Sequence, residues 1–379
     1  MKIVIDDNMP YALELFSRTG KVISVPGRYL SEKEINEADG LMVRSVTKIN
    51  KDFLKNTKIK FVGTATSGID HIDTTWLRKS GITFSAAPGC NAIAVVEYVF
   101  SALLLLAERK SFQLTLLTVG IIGLGNIGSK LKKRLMAWGV KTLTCDPPRA
   151  DNGEPGNFFT LEELIKQSDV ITLHLPLYKE GKYKSLHLIN KELLLSLKKN
   201  TILINTSRGS IVDNKALLEI LQIRHDIVVV LDVWEDEPNF SIDLLDRIEI
   251  ATTHIAGHSL EGKTRGTIQI FEAWTNFLGK PQTIMIEQIL PPPTFSYILL
   301  NGQLTQNILK SLVHLIYNVY DDDAIFRNFS LLPNGFDDVR KQCLYKIRRE
   351  WSSLKVICNY KNTADQLIKL GFTAEYHSD

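Results

Sequence analysis

Three polar residues stand at or just past β-type runs in the middle of the chain: Arg208 in NTSRGSIVD, Glu237 in LDVWEDEP and His254 at the end of IEIATTH. An imidazole titrates near neutrality, so His254 can take a hydroxyl proton as hydride leaves the adjacent carbon and return it in reverse. A carboxylate such as Glu237 can hold that ring in one orientation and raise its pKa. The planar guanidinium of Arg208 can fork onto a substrate carboxylate and polarise the neighbouring C2 oxygen. Base, orienting acid and clamp together suit hydride transfer from a 2-hydroxy acid. Singly, each has a plainer reading: a surface ion pair, a solvated acid before proline, a packed histidine. Their order behind a nucleotide fingerprint is what gives the set weight.

That fingerprint is TVGIIGLGNIG, residues 118–128, in which Gly123, Gly125 and Gly128 follow an apolar run and open a helix-like segment. Glycine is needed for the tight turn, for close approach of a pyrophosphate to bare backbone, and for close helix–sheet packing. The helix N-terminus then offers amide donors and a positive dipole. A second run, VKTLTCD, ends in Asp146, 18 residues past Gly128. A carboxylate there accepts from both ribose hydroxyls of NAD and repels the extra phosphate of NADP, which makes NAD the expected cofactor. The competing reading of Asp146 is a turn residue ahead of Pro147 and Pro148, and Arg149 is the one neighbour that would suit NADP.

The elements that must position these groups are those of an α/β protein. Before the fingerprint, KIVIDD, KVISVP, GLMVRS, KFVGTAT and ITFSAAP alternate with helical patterns. After it, KTLTCD, VITLHL, NTILINTS, IVVVLDVW and IEIATTHI have the Val/Ile/Leu content of parallel strands buried on both faces. Two doubly wound parallel sheets are expected in series, one Rossmann-like and one flavodoxin-like. The chain should cross between them in a helix from about Ala92 to Arg109 and again near 258–277. The expected division is 1–93 with 259–287 for substrate, 94–258 for NAD, and 288–379 as a C-terminal α+β domain set off by the stiff Pro291–Pro293 run. Within this last part FSYILL and LKVICN read as strands and LTQNILKSLVHLIYNVY as a helix.

Composition narrows the function classes. The 379 residues carry 45 basic and 42 acidic side chains, a net charge of +3, which argues against a nucleic-acid or membrane-surface partner. Cys90, Cys145, Cys343 and Cys358 are far apart and match no metal-ligand spacing, so no metal is expected and reduced thiols in the cytoplasm are. The longest apolar stretch, AIAVVEYVFSALLLLA, contains Glu97 and reads as a buried helix. His71, between Asp70 and Asp73, reads as structural, with Asp73 an N-cap for TTWLRK.

GLGNIG, NTSRGSIVD, LDVWEDEP and TTHIAG, in this order, resemble the D-2-hydroxyacid dehydrogenase family over roughly residues 40–290. DDNMPYA, LMVRSVTKIN, FVGTATSGIDHID, SAAPGCNAIAVVEYV, CDPPRAD, HIAGHSLEGKTRGT and REWSSL extend the similarity to one branch over nearly the whole chain. The resemblance implies oxidation of a phosphorylated four-carbon 2-hydroxy acid by NAD in vitamin B6 biosynthesis, in a homodimer. It implies Arg208, Glu237 and His254 as catalytic residues, with His254 as proton donor or acceptor. Asn126, Ile127, Asp146, Leu175, Thr206, Asp232 and Gly257 are implied as NAD contacts, Ser45 and Thr66 as substrate contacts. His258 stands where the family pattern has tyrosine. It can still donate a hydrogen bond, and protonation beside a phosphate would alter the pH dependence.

The phosphate needs further donors. Arg44 beside Ser45, after GLMV, is one candidate. The basic stretch Arg340, Lys341, Lys346, Arg348 and Arg349, reaching in from a partner subunit, is another, although a solvated helix face is its simpler reading. The alternatives are a sister enzyme such as a 3-phosphoglycerate dehydrogenase or glyoxylate reductase, and a non-catalytic NAD-sensing binding protein.

Overall fold

A computed structural model describes residues 1–341 and 347–377, and Cys343 and Lys346 lie outside them. The chain divides into two compact units, residues 1–92 with 258–292, and residues 93–257 with 293–379. It passes from one to the other at 92/93, at 257/258 and at 292/293.

The first unit is built on β1 (Lys2–Asp6), β2 (Lys21–Val25), β3 (Gly40–Val43), β4 (Phe61–Thr64) and β5 (Thr83–Ala86), in the order β2-β1-β3-β4-β5. Every pairing is parallel. This is the flavodoxin-like order, and β3 and β4 are buried at every residue, as strands covered on both faces must be. One face is covered by the helix Leu260–Phe277, whose Ile270, Phe271 and Trp274 are fully buried. Gly40 and Gly63 leave room for it, since a Cβ at either would sit within 3 Å of Trp274 or Ile270. Asp73 caps the helix Thr74–Lys79, accepting from the Trp76 amide at 2.9 Å, and His71 Nε2 lies 3.0 Å from Thr64 Oγ1.

The second unit carries β6 (Thr118–Ile122), β7 (Lys141–Cys145), β8 (Val170–Leu173), β9 (Ile202–Asn205), β10 (Val228–Leu231) and β11 (Ile250–Ala251), ordered β11-β10-β9-β8-β6-β7 and wholly parallel. The order reverses at β6, between β7 and β8, the place where open α/β sheets bind ligands. The apolar helix Ala92–Arg109 is buried in this unit, and its Glu97, fully buried, pairs with Arg134 at 3.3 Å. Among the described residues no helix is long and apolar enough to cross a membrane. Cys90, Cys145 and Cys358 are buried.

Residues 293–377 add a parallel three-stranded sheet, β12 (Ile298–Leu300), β13 (Lys355–Cys358) and β14 (Thr373–Tyr376). Their Leu309, Val313, Trp351 and Leu367 share one core with Phe100, Leu103 and Leu131 of the nucleotide half. The single helix expected through Tyr320 is two, Gln306–Ile316 and Val319–Phe329. The break is tertiary in origin: Ser101 Oγ donates to the Tyr317 carbonyl and accepts from the Val319 amide, both at 3.0 Å, so Tyr317 turns to extended backbone.

Candidate active site

The glycine turn follows β6 and opens the helix Asn126–Ala137. Gly123 has φ +89°, a left-handed conformation that favours glycine, and a Cβ there would lie 2.4 Å from the His174 carbonyl oxygen. Gly128 is closer still, 1.9 Å from the Gly123 oxygen. Gly125 differs: a Cβ on it would meet nothing within 4 Å. The first intrahelical bond here is Ser129 N to Gly125 O, so the amides of Asn126, Ile127 and Gly128 precede the ladder and face the turn as donors. A bare, exposed Gly125 beneath free amides is what a pyrophosphate requires.

Asp146 follows β7. Its Oδ2 accepts from the Leu124 amide at 2.7 Å and its Oδ1 from the Arg149 amide at 3.2 Å, capping the short helix Pro147–Asp151. The turn reading and the ribose reading are therefore compatible, because each carboxylate oxygen keeps a second lone pair. Arg149 is held by Glu154 at 2.6 Å and by the Leu124 carbonyl at 2.8 Å, so its charge is already partnered. Leu175, Thr206, Asp232 and Gly257 come just past the carboxyl ends of β8, β9, β10 and β11, on the same edge of the sheet. Asp232 is turned inward and 1% exposed. Its oxygens accept from Thr252 Oγ1 and the Ile255 amide, each at 2.7 Å, and from the Ala256 amide at 3.0 Å, which shapes the His254–Gly257 turn.

His254 has φ +58°, a strained conformation for histidine costing about 1–3 kcal/mol, held by its own amide on the Asp232 carbonyl. Its Nδ1 donates to Glu237 Oε2 at 2.8 Å, while Glu237 Oε1 accepts from the Trp234 amide at 2.8 Å. This sets the tautomer and leaves Nε2 with the lone pair. Burial pushes the Glu237 carboxyl up, but the His254 charge, the hydrogen bonds from His254 and Trp234, and Arg340 more than offset it, leaving the group below its ordinary value. Glu237 therefore stays ionised beside the ring. Arg208 sits on a turn shaped by Asn205, whose Nδ2 donates to the Arg208 carbonyl at 2.9 Å and whose Oδ1 accepts from Ser207. The next residue, Gly209, lies against the Trp234 backbone, where a Cβ would be 1.9 Å from the Trp234 carbonyl carbon. The Arg208 and Glu237 loops are thus in direct backbone contact.

In the first unit Arg44 and Ser45 follow β3 and Thr66 follows β4. Thr66 Oγ1 lies 2.8 Å from Thr64 Oγ1 and donates to the Gly68 carbonyl. Arg44 Nε is 3.1 Å from Asp6 Oδ1. His258 stands just before the helix Leu260–Phe277, and Lys263 lies in that helix's first turn. Burial, and after it the charge of Arg44, lower the Lys263 ammonium to about 8. Lys263 gives no signal in the sequence, where a lysine on a helix is usually solvated.

Within the basic stretch, Arg340 and Arg348 are turned inward and Lys341 is solvated, while Lys346 lies outside the described residues. Arg348 is 8% exposed and Arg340 lies 3.9 Å from Glu237 of its own chain, while Lys341 is exposed and beside Asp338. A guanidinium can satisfy several carbonyls and a ring face at once, as Arg348 does with Ala256, Ala94 and Tyr317, whereas Arg340 has the Glu237 carboxylate beside it.

A family model for the D-isomer specific 2-hydroxyacid dehydrogenase, NAD binding domain, matches residues 106–256, and a domain of unknown function, DUF3410, matches 289–371. The chain is 56% identical over 377 residues to proteins of Cronobacter sakazakii and Salmonella arizonae, covering 100% of itself and 99% of each, and both are called erythronate-4-phosphate dehydrogenase. The chain belongs to the erythronate-4-phosphate dehydrogenase family. Solved structures place that family on a wider scaffold. An NAD-dependent formate dehydrogenase of Staphylococcus aureus in complex with NAD is 25% identical, with a TM-score of 0.61 over 75% of this chain and 97% of its own. The NAD+-bound 3-phosphoglycerate dehydrogenase of Entamoeba histolytica is 26% identical, with a TM-score of 0.61 over 74% and 95%.

The turn at Gly123–Gly128 fits the NAD of this dehydrogenase family, and a substitution tests the fit. Gly125→Ala is expected to leave stability within about 0.5 kcal/mol of wild type, because its methyl touches no protein atom. The same methyl occupies the pyrophosphate's approach, so the KM for NAD should rise about tenfold, equivalent to ~1.4 kcal/mol. Calorimetric unfolding and NAD titration of the rate check both halves. An unchanged KM would remove the cofactor from this turn.

Proposed function

We propose that this chain oxidises 4-phospho-D-erythronate at C2 with NAD, yielding 3-hydroxy-2-oxo-4-phosphooxybutanoate in vitamin B6 biosynthesis. The observation that carries the reading is identity over the full length to relatives of that name, DUF3410 region included. NAD, held by the glycine turn, the amides of residues 126–128 and Asp146, supplies the acceptor for the hydride leaving C2. His254 Nε2 removes the C2 hydroxyl proton, and the Glu237 carboxylate stabilises the imidazolium that forms. Arg208 grips the substrate carboxylate and withdraws electron density from the C2 oxygen as it becomes a carbonyl. Leu175, Thr206, Asp232 and Gly257 complete the nucleotide contacts; Ser45, Thr66 and His258 contact substrate. The working form is a cytoplasmic homodimer, with 288–379 as its dimerisation domain. NAD reduction followed by NADH absorbance, with 4-phosphoerythronate, 3-phosphoglycerate and glycerate compared side by side, tests the reading. Preference for either of the other two acids would replace it.

The phosphate is assigned to Arg44 and Lys263. With Lys263 near 8, its cation is present below that pH and lost above it. The kcat/KM for the phosphorylated acid should then fall above about pH 8, and that for an unphosphorylated 2-hydroxy acid should not. Lys263→Met should abolish this alkaline limb. Arg44→Ala should cost the phosphorylated substrate a charge-assisted contact of about 1.5–3 kcal/mol, tenfold or more. Equal losses on both substrates would reject the assignment.

A further inference from the structure

The region of unknown function reaches the catalytic pair from inside the same chain. Its helices Val319–Phe329 and Gly335–Arg340 pack Phe326 and Phe336 against Trp234 and Phe240, which bracket Glu237, with ring centroids 5.1–5.9 Å apart. Trp234 in turn donates from Nε1 to the Thr252 carbonyl at 2.8 Å, two residues before His254. Asp323 accepts from the Ala251 amide at 2.8 Å, so the strand that delivers His254 is also held from this side. Arg340 Nη1 then lies 3.9 Å from the Glu237 oxygen that bonds His254.

Arg348 is the second contact. Buried, with its guanidinium 3.7 Å from the Tyr317 ring centroid, it donates from Nη1 to the Ala256 carbonyl at 2.9 Å and from Nη2 to the Ala94 carbonyl. Ala256 is two residues past His254, and its amide is already held by Asp232. Ala94 and Ala256 each lie two residues inside a point where the chain leaves this unit, at 92/93 and 257/258. One guanidinium therefore ties both departing segments to one spot, a task for a planar fork rather than for a lysine.

The geometry points to the DUF3410 region as an in-cis positioning element of the His254–Glu237 pair, with Arg340 set against the Glu237 carboxylate and Arg348 holding the turn behind His254. This rests on the dehydrogenase reading above and extends it. Neither arginine touches reacting atoms, so each acts through the pair. Among the described residues, Glu237 and Asp232 face His254, and Arg340 lies behind Glu237. Removing the positive charge at 340 eases protonation of the ring, so the pH below which the base is lost must rise.

The test uses the full-length enzyme with NAD and 4-phosphoerythronate, protiated and deuterated at C2. Arg340→Gln should move the acid limb of kcat/KM upward, by about 0.5 pH unit at a solvent-like effective dielectric and by on the order of 1.5 units at one near 20, and Arg340→Lys should restore it. Arg348→Lys should lower kcat about 10- to 100-fold, the usual cost of a misplaced catalytic group, and raise the deuterium isotope effect as chemistry becomes limiting. A role in stability alone would change the amount of active enzyme and move neither limb nor isotope effect. Coincident acid limbs for Arg340→Gln and wild type, or unchanged turnover and isotope effect in Arg348→Lys, overturns the inference. If Arg348→Lys does not fold, the Arg340 variants decide. A wild type that does not reduce NAD with this substrate refutes the functional reading instead.

Discussion

Replacing His254 by asparagine should reduce kcat for oxidation by about 10²–10⁴-fold, the range a positioned general base contributes, while KM for substrate changes little. The side chain keeps a polar group near Glu237 and loses the nitrogen that takes the proton. Glu237→Gln should cost less, because the ring and its Nε2 remain. Its signature is different: without the carboxylate, whose oxygen accepts from Nδ1 at 2.8 Å, the imidazolium is less stabilised and the acid limb of kcat/KM moves to lower pH. Residues that act as one unit are non-additive, so the double variant should be little worse than His254→Asn alone. Multiplying losses would mean that the two act separately, and the pair would have to be given up as a dyad.

Gly209→Ala is the second large effect, and it touches no substrate. The added methyl would lie 1.9 Å from the Trp234 carbonyl carbon and 2.4 Å from the Glu235 amide nitrogen. Backbone cannot yield as a flexible side chain does, so either the Arg208 turn or the Glu237 loop must move. Overpacking of this kind costs about 1–3 kcal/mol of stability. The kinetic penalty is of similar size in energy, ~2.7 kcal/mol, since a shift of about 1 Å in a catalytic group costs on the order of 10²-fold. A protein that still folds but turns over about 100-fold more slowly is therefore the expected result. Wild-type turnover in Gly209→Ala would show that the contact between the two loops does not set the geometry of the site.

Much of this was legible in the residues. The β-type runs became strands because continuous Val/Ile/Leu stretches bury both faces, as in VVVL at β10, and GLGNIG announced its turn because glycine spacing is local chemistry. The break at Tyr317 was not legible: LTQNILKSLVHLIYNVY has an uninterrupted helical pattern, and what stops it is a hydroxyl from Ser101, over two hundred residues earlier. Arg340, Lys341, Lys346, Arg348 and Arg349 read as one charge run because a sequence shows neighbours along the chain only. The fold separates Arg348, buried against two carbonyls, from the exposed Lys341, and turns Arg340 onto an acid of its own chain.

The types and order of the chemical groups were determined by the sequence alone: a base, an acid, a clamp and a glycine turn, each after its own strand, because side-chain chemistry and local turn geometry are written in adjacent residues. Which of these share a hydrogen bond, that the charge of Arg44 reaches a buried Lys263, and that helices of the last ninety or so residues pack against the Glu237 and His254 loops were decided only by the tertiary structure. Such contacts join residues tens to hundreds of positions apart, and no short-range pattern encodes the packing that brings them within a few ångströms.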